Sequence, residues 1–290
     1  LVLGVSVSGM VSRTIEALDL ARQAGAATGA ITGNRKAGVA EVSEMLLHTA
    51  VPPLPDQLNL IVPGARSYIA SQLALYLLAI HIGQARGHLS KKEANDLRRE
   101  VASTADLMEA TIAACDPVAR EAAIAWQDGE AFVYCGSGPN YGTALFSAAK
   151  LLEASGETAV AQDMEEWAHL EYFAREPRTP TFLISAGERD SDRTLEVAAA
   201  AKAIGRRLAI IAPGDSALAG TEDTDILFPL NSPIRECFSP LVACLPGLLF
   251  AAYRSQMIGE AYFRGFGGGR SAEGGGGISR IRTSHRQHTL

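Results

Sequence analysis

The chain has 290 residues, 26 Lys+Arg against 32 Asp+Glu for a net charge of −6, and 47% hydrophobic and 20% charged residues. That length holds one large or two medium domains, and the composition excludes a disordered or collagen-like chain. The mild acidity gives no footprint for nucleic acid or an anionic membrane.

In chain order, Leu1–Val5 has no initiator Met, basic segment or small-residue cleavage site and does not read as a signal peptide. Val2–Ser6 reads as a short strand. Thr14–Gln23 has helical apolar spacing and stops at Gly25, a natural helix end. Thr28–Thr32 and Met45–Thr49 read as buried strands, and Val51-Pro-Pro-Leu-Pro-Asp56 as a stiff, non-helical crossing. Helices are expected at Ser67–Ile82, Ser90–Cys115 and Pro117–Gln127, with Pro117 separating the last two. A second alternating series follows. Strands are expected at Glu130–Cys135, Thr181–Ser185, Leu208–Ala212 and Ile226–Pro229, and helices at Asn140–Ala154 and Arg193–Ile204. Such alternation predicts α/β layers around parallel sheets.

The most apolar stretches, Tyr68–Ile82 and Leu241–Tyr253, fall short of the roughly 20 residues that span a bilayer, so a soluble protein is expected. Cys115, Cys135, Cys237 and Cys244 have no CxxC spacing, which argues against a zinc site or a disulfide framework and for a reducing, cytoplasmic location.

A shift of 180 residues lays Arg13-Thr-Ile-Glu16 on Arg193-Thr-Leu-Glu196, Gly25 on Gly205, Ala30-Ile31 on Ile210-Ile211 and Leu46-Leu47 on Ile226-Leu227, without a gap. Two copies of one α/β unit are therefore expected. The first (1–66) is joined through a helical segment (67–127) to the second (128–260), and a glycine-rich tail (261–290) follows. About fifty residues precede the strand at Thr181 in its copy, whereas its counterpart opens the chain. The expectation is that the first copy is truncated, since a naturally short one leaves an unpaired edge.

Four features could carry chemistry. Ser6-Val7-Ser8-Gly9 ends a predicted strand before a helix, where hydroxyls, backbone N–H groups and the helix dipole can hold a phosphate; the plainer reading is a serine-rich N-cap turn. Gly136-Ser137-Gly138 follows a strand likewise, but Tyr141 stands where a dinucleotide fingerprint needs glycine, so a sugar or phosphate pocket is the better reading. Lys150 and Glu153 share a helix face, as do Glu166 and His169 if that segment is helical. Glu and His together can move a proton between adjacent carbons and assist ring opening, while the plain reading is a surface ion pair beside a structural His. A carboxylate-bridged metal would need a second ExxH, which the chain lacks, so no metal or other cofactor is expected. Finally, Arg264–Gly277 has eight glycines in fourteen residues, followed by Arg280 and Arg282. This is either a loose basic terminus or a jointed tail bringing arginine to an anion. His48, His81 and His88 are scattered and receive no role, and Trp126 and Trp167 read as packing residues.

With Ser6-x-Ser8-Gly9, Arg13-Thr-x-Glu16 and the Gly25-to-Thr32 strand in one copy, and Gly136-x-Gly138, Lys150-x-x-Glu153 and Glu166-x-x-His169 in the other, the chain resembles the double sugar-isomerase (SIS) domain proteins. These include the isomerase half of glutamine–fructose-6-phosphate transaminase, and fructosamine-type deglycases and deaminases. The resemblance implies two flavodoxin-like three-layer α/β/α domains, usually in a homodimer. It gives Ser6, Ser8 and Gly9 to the phosphate, Glu153 to C1–C2 proton transfer, and His169 to ring opening or leaving-group protonation. Val11 departs from the family's hydroxyl at that place, with Ser12 the nearest substitute. In the tail, Arg282 is the nearest match to a lysine that forms an imine, and arginine cannot be that nucleophile. With no glutaminase-type segment in this sequence either, a glutamine-independent activity is expected. It would be C–N cleavage of a ketosamine or amino sugar 6-phosphate, with aldose–ketose isomerisation or a non-catalytic sugar-phosphate sensor as alternatives. Lys150, Gly136, Ser137 and Gly138 would line the same chemistry.

Overall fold

The computed structural model describes residues 1–52 and 64–258, which form two compact units meeting in sequence at Arg98 and Arg99. In the first, strands β1 (Val2–Val5), β2 (Thr28–Thr32) and β3 (Met45–His48) make a parallel sheet in the order β1-β2-β3. Helix α1 (Ser12–Gln23) and the single turn α2 (Gly38–Glu41) return the chain between strands. All five residues of β2 are buried, as the middle strand of a covered sheet requires. Leu18 of α1 packs with Ala30 and Val39 and comes so near Gly4 that a methyl there would lie 2.6 Å from Leu18 Cδ1.

Helix α3 runs Ala65–Ala85, longer at both ends than its apolar run. This corrects the expectation from Tyr68–Ile82: at 21 residues, α3 is long and apolar enough to cross a bilayer, by length and composition alone. Helix α4 (Lys91–Ala125) starts with a reciprocal cap, in which Ser90 N–H donates to Glu93 Oε2 (2.8 Å) and Glu93 N–H to Ser90 Oγ (3.2 Å). It also corrects the two-helix expectation, because it continues through Pro117. An interior proline costs about 3 kcal/mol or more, but side chains are anchored on both sides of it. Cys115, Ala119, Ala122 and Ala123 are fully buried, and Tyr253 OH donates to Asp116 Oδ1 at 2.9 Å.

The second unit is a five-stranded parallel sheet in the order β5-β4-β6-β7-β8, formed by β4 (Ala131–Gly136), β5 (Thr158–Asp163), β6 (Pro180–Ile184), β7 (Arg207–Pro213) and β8 (Ile226–Leu230). Strand side chains alternate between two helix layers. Val133, Cys135, Leu183, Leu208 and Ile210 pack under α6 (Met164–His169) and α7 (Ser191–Ala203). On the other face Phe132, Tyr134 and Phe182 form an aromatic cluster with Trp126 and with Phe250 of α8 (Pro240–Ile258). Helix α5 (Pro139–Ser155) packs closely on α8, since a methyl on Gly247 would stand 2.5 Å from Ser147 Oγ. Helix α8 continues through Pro246, with Leu241, Val242, Ala243, Cys244 and Phe250 buried along it.

The 180-residue repeat has a structural counterpart. Thr28 pairs with Val2 and Leu208 with Thr181, within one residue of the shifted register. Gly25 and Gly205 both end their helices at positive φ (83° and 92°). The Arg-Thr-x-Glu motif is the same helical ion pair in each copy, Arg13–Glu16 and Arg193–Glu196. The stiff crossing expected at Val51–Asp56 lies mostly outside the described residues, as does the whole tail with Arg280 and Arg282.

Candidate active site

In the first unit, the turn from β1 into α1 is built around Ser6–Gly9. Gly9 takes φ 70°, and its N–H donates to Ser6 Oγ (3.2 Å), while Met10 N–H donates to Ser8 Oγ (3.3 Å). Each hydroxyl oxygen accepts from the turn and keeps an O–H to donate; Ser8 is exposed and Ser6 is buried. A side chain at Gly9 is excluded twice over, by φ and because its Cβ would lie 2.4 Å from Ala37 Cβ. Val11 occupies the N-cap of α1 and gives no side-chain cap, so the helix opens with first-turn N–H groups that an anion can satisfy. Ser12 is the first residue of α1; it is buried and already engaged.

In the second unit the crossovers from β4 lead to opposite sides, so the crevice where such sheets take ligands lies at the carboxyl ends of β4 and β6. Gly136 ends β4 and Gly138 (φ 53°) is the N-cap of α5, followed by Pro139 at its first position. No larger residue fits at Gly136, where a Cβ would lie 2.3 Å from the Asn140 carbonyl oxygen. Near the far end of α5, Lys150 Nζ and Glu153 Oε2 form a close ion pair, with side chains 14% and 22% exposed. The ammonium also lies 5.4 Å from the centre of the Phe146 ring. The pair is sheltered enough for the charges to matter and open enough to reach solvent-borne material.

Helix α6 does place Glu166 and His169 on one turn, both exposed. Asp163 caps it by accepting the Glu165 N–H (3.0 Å), and Arg193 of α7 grips the Glu165 carboxylate through two nitrogens at 2.7 and 2.8 Å. Those bonds hold the Glu165 carboxyl below its ordinary range. Underneath, Trp167 is fully buried among Met164, Cys135 and Leu183. Just past His169, the buried Arg206 guanidinium donates to the Glu171 carbonyl at 2.6 Å. Trp167 thus packs as its sequence reading expects and fixes the helix that carries His169.

Sequence reasoning missed a second set at the β6 end of the crevice. Ser185 Oγ donates to Asp190 Oδ1 (2.8 Å) and accepts the Gly187 N–H (2.9 Å). Arg189 Nε meets Glu236 Oε2 at 2.6 Å, and Glu236 Oε1 lies 3.5 Å from where a Cβ on Gly138 would stand. Burial pushes the Asp190 carboxyl up, against the Ser185 bond that lowers it. The acidic residues follow the β6 and β8 strand ends, a signal the sequence does carry. Their convergence across 46 residues is a tertiary fact. None of the four cysteines is in a disulfide, and the buried ones are poor nucleophiles: burial pushes Cys115 and Cys244 up to about 12 and Cys135 well above its ordinary value.

No protein-family model matches the chain. It is 27% identical over 257 residues to the isomerizing glutamine–fructose-6-phosphate aminotransferase of Leifsonia xyli subsp. xyli, covering 87% of this chain and 40% of that protein. The chain thus spans well under half the length of such relatives. Among solved structures it is similar to the C-terminal domain of glucosamine-fructose-6-phosphate aminotransferase from Francisella tularensis, with a TM-score of 0.82, 18% identity, and coverage of 89% of this chain and 71% of that one. It is also similar to glucosamine-6-phosphate deaminase from Thermotoga maritima, with a TM-score of 0.67, 16% identity, and coverage of 91% and 72%.

Proposed function

We propose that this chain, which resembles the double sugar-isomerase domain proteins in sequence and shares their fold, is an enzyme that cleaves the C–N bond of a ketosamine or amino sugar 6-phosphate. The observation that carries this reading is the half-sheltered Glu153 carboxylate, held by Lys150 on a helix of a chain aligned with an isomerizing aminotransferase. A carboxylate held in place by a neighbouring ammonium is a positioned base for taking a proton from carbon.

The phosphate goes to Ser6, Ser8 and Gly9, whose turn offers two hydroxyls, the Ser8 one exposed, at the start of a helix with no side-chain cap. The second crevice is a poor competitor, because Asp190 and Glu236 stand there. On a ketosamine, Glu153 removes a proton from C1, next to both the carbonyl and the C–N bond, leaving an enolamine. Returning the proton at C2 gives an imine at C1, which water hydrolyses to aldose phosphate and free amine. His169 is carried on α6, on the face of the second sheet opposite α5, so it serves the site of the other copy in a homodimer, where it protonates the departing group or the ring oxygen. Atoms balance with one water consumed and no oxidant. Gly136, Ser137 and Gly138 stand at the opening of α5, about 20 Å along the helix from Glu153, and so take no part in this site; the chain works as a cytoplasmic homodimer.

Incubation with a fructosamine 6-phosphate and with glucosamine 6-phosphate tests this through released amine. Amine formation in proportion to enzyme is expected. Ketose or aldose formation with every C–N bond intact replaces the reading with isomerisation. Binding seen as thermal stabilisation, with no product from any of them, replaces it with a sensor.

A further inference from the structure

The loop after β2 is bonded directly to the Ser6–Gly9 turn. Gly33 N–H donates to Val7 O (3.1 Å), Thr32 Oγ1 to the same oxygen (3.2 Å), and Val39 N–H to Gly9 O (3.1 Å). Ala37 seats under Gly9, where no side chain could fit. Asn34 braces the loop on itself, accepting the Lys36 N–H at 3.0 Å, and His48 Nε2 at the end of β3 donates to Gly33 O at 3.1 Å. Between these fixed points stand Arg35 and Lys36, both exposed. Neither makes an ion pair among the described residues, unlike Arg13 and Arg22 of α1, which pair with Glu16 and Asp19.

The described strand ends and turns of this unit carry no opposing charge. Residues 5–13, 32–40 and 48–52, the carboxyl ends of all three strands with the turns that leave them, hold no Asp or Glu. Val11 meanwhile contributes no hydroxyl, and Ser12 is buried and engaged.

We propose that Arg35 and Lys36 are the charge-bearing phosphate contacts of this turn, so that the site selects a doubly charged phosphate monoester over a neutral sugar. This rests on the reading of Ser6–Gly9 as the phosphate turn. The serine hydroxyls and helix N–H groups fix the position of the phosphate. The guanidinium and ammonium, on a loop bonded to that turn, supply the countercharge. Affinity should accordingly fall as salt rises, because both cations are exposed.

The test is inorganic phosphate binding by the full chain, measured calorimetrically in the wild type, in Arg35→Ala/Lys36→Ala and in the charge-keeping swap Arg35→Lys/Lys36→Arg. Loss of about tenfold or more in the alanine variant is expected, with most of it regained in the swap and unfolding temperature unchanged. The KM for a sugar 6-phosphate should rise by a similar factor with kcat little altered. Equal phosphate affinity in wild type and alanine variant overturns the inference while leaving the phosphate turn and the enzyme in place. Absence of phosphate binding in the wild type, together with no turnover of any sugar phosphate, overturns both.

Discussion

Glu153→Gln should lower turnover by about 10²–10⁴ while leaving substrate affinity within a few-fold of wild type. Glutamine keeps the size and one acceptor oxygen of the side chain, so the helix face of α5 and the packing of Lys150 on Phe146 persist. What disappears is the ability to accept a proton from carbon. The effect therefore belongs in kcat, because the phosphate is held elsewhere and its binding is not addressed. A second consequence separates this from general damage to the helix. In Lys150→Met the carboxylate remains but loses the ammonium that holds it in place, so catalysis should survive in part where Glu153→Gln loses nearly all of it. Turnover of Glu153→Gln at the wild-type rate would remove Glu153 from the chemistry.

The largest expected loss of stability is in Arg254→Met, at about 3–5 kcal/mol. Arg254 is 4% exposed and does three things at once. Its guanidinium pairs closely with Glu157, it donates to the carbonyls of Trp126 (3.1 Å) and Ala123 (3.3 Å), and it lies 5.2 Å from the centre of the Phe132 ring. These contacts join the end of α4, the entrance to β5 and the last helix. Methionine fills much of the volume but leaves the Glu157 carboxylate, 12% exposed, without a partner. The double variant with Glu157→Gln should recover a large part of the loss, because the stranded charge goes too. Denaturant midpoints of the three variants check this. A single variant as stable as wild type would show that the pair contributes nothing net.

Much of this architecture is legible in the residues because it depends on short-range pattern. The Arg-Thr-x-Glu repeat, the glycines after α1 and α7, and the buried strand Thr28–Thr32 are all local signals that tertiary contacts reinforce. Lys150 and Glu153 are legible as a pair for the same reason, since i,i+3 spacing on a helix decides that they meet. Pro117 misleads. Its local cost favours two helices, and only the burial of Cys115 and Ala119 to Ala123 around it favours one. Strand β5 is not legible in the sequence, because Thr158–Asp163 is an edge strand with no continuous apolar run; its pairing with β4 defines it. Arg189 and Glu236 escape for a related reason, being joined by a contact between the segments after β6 and β8 rather than by spacing, while Ser185 and Asp190 meet within the one turn after β6.

The most direct test of the central claim, that this chain moves a proton between sugar carbons through Glu153, is proton NMR in D₂O with a fructosamine 6-phosphate and glucosamine 6-phosphate. The account predicts solvent deuterium entering C1 or C2 as amine is released, and no such exchange in Glu153→Gln. Tight binding of these sugar phosphates by the wild-type protein with no deuterium at either carbon would contradict it.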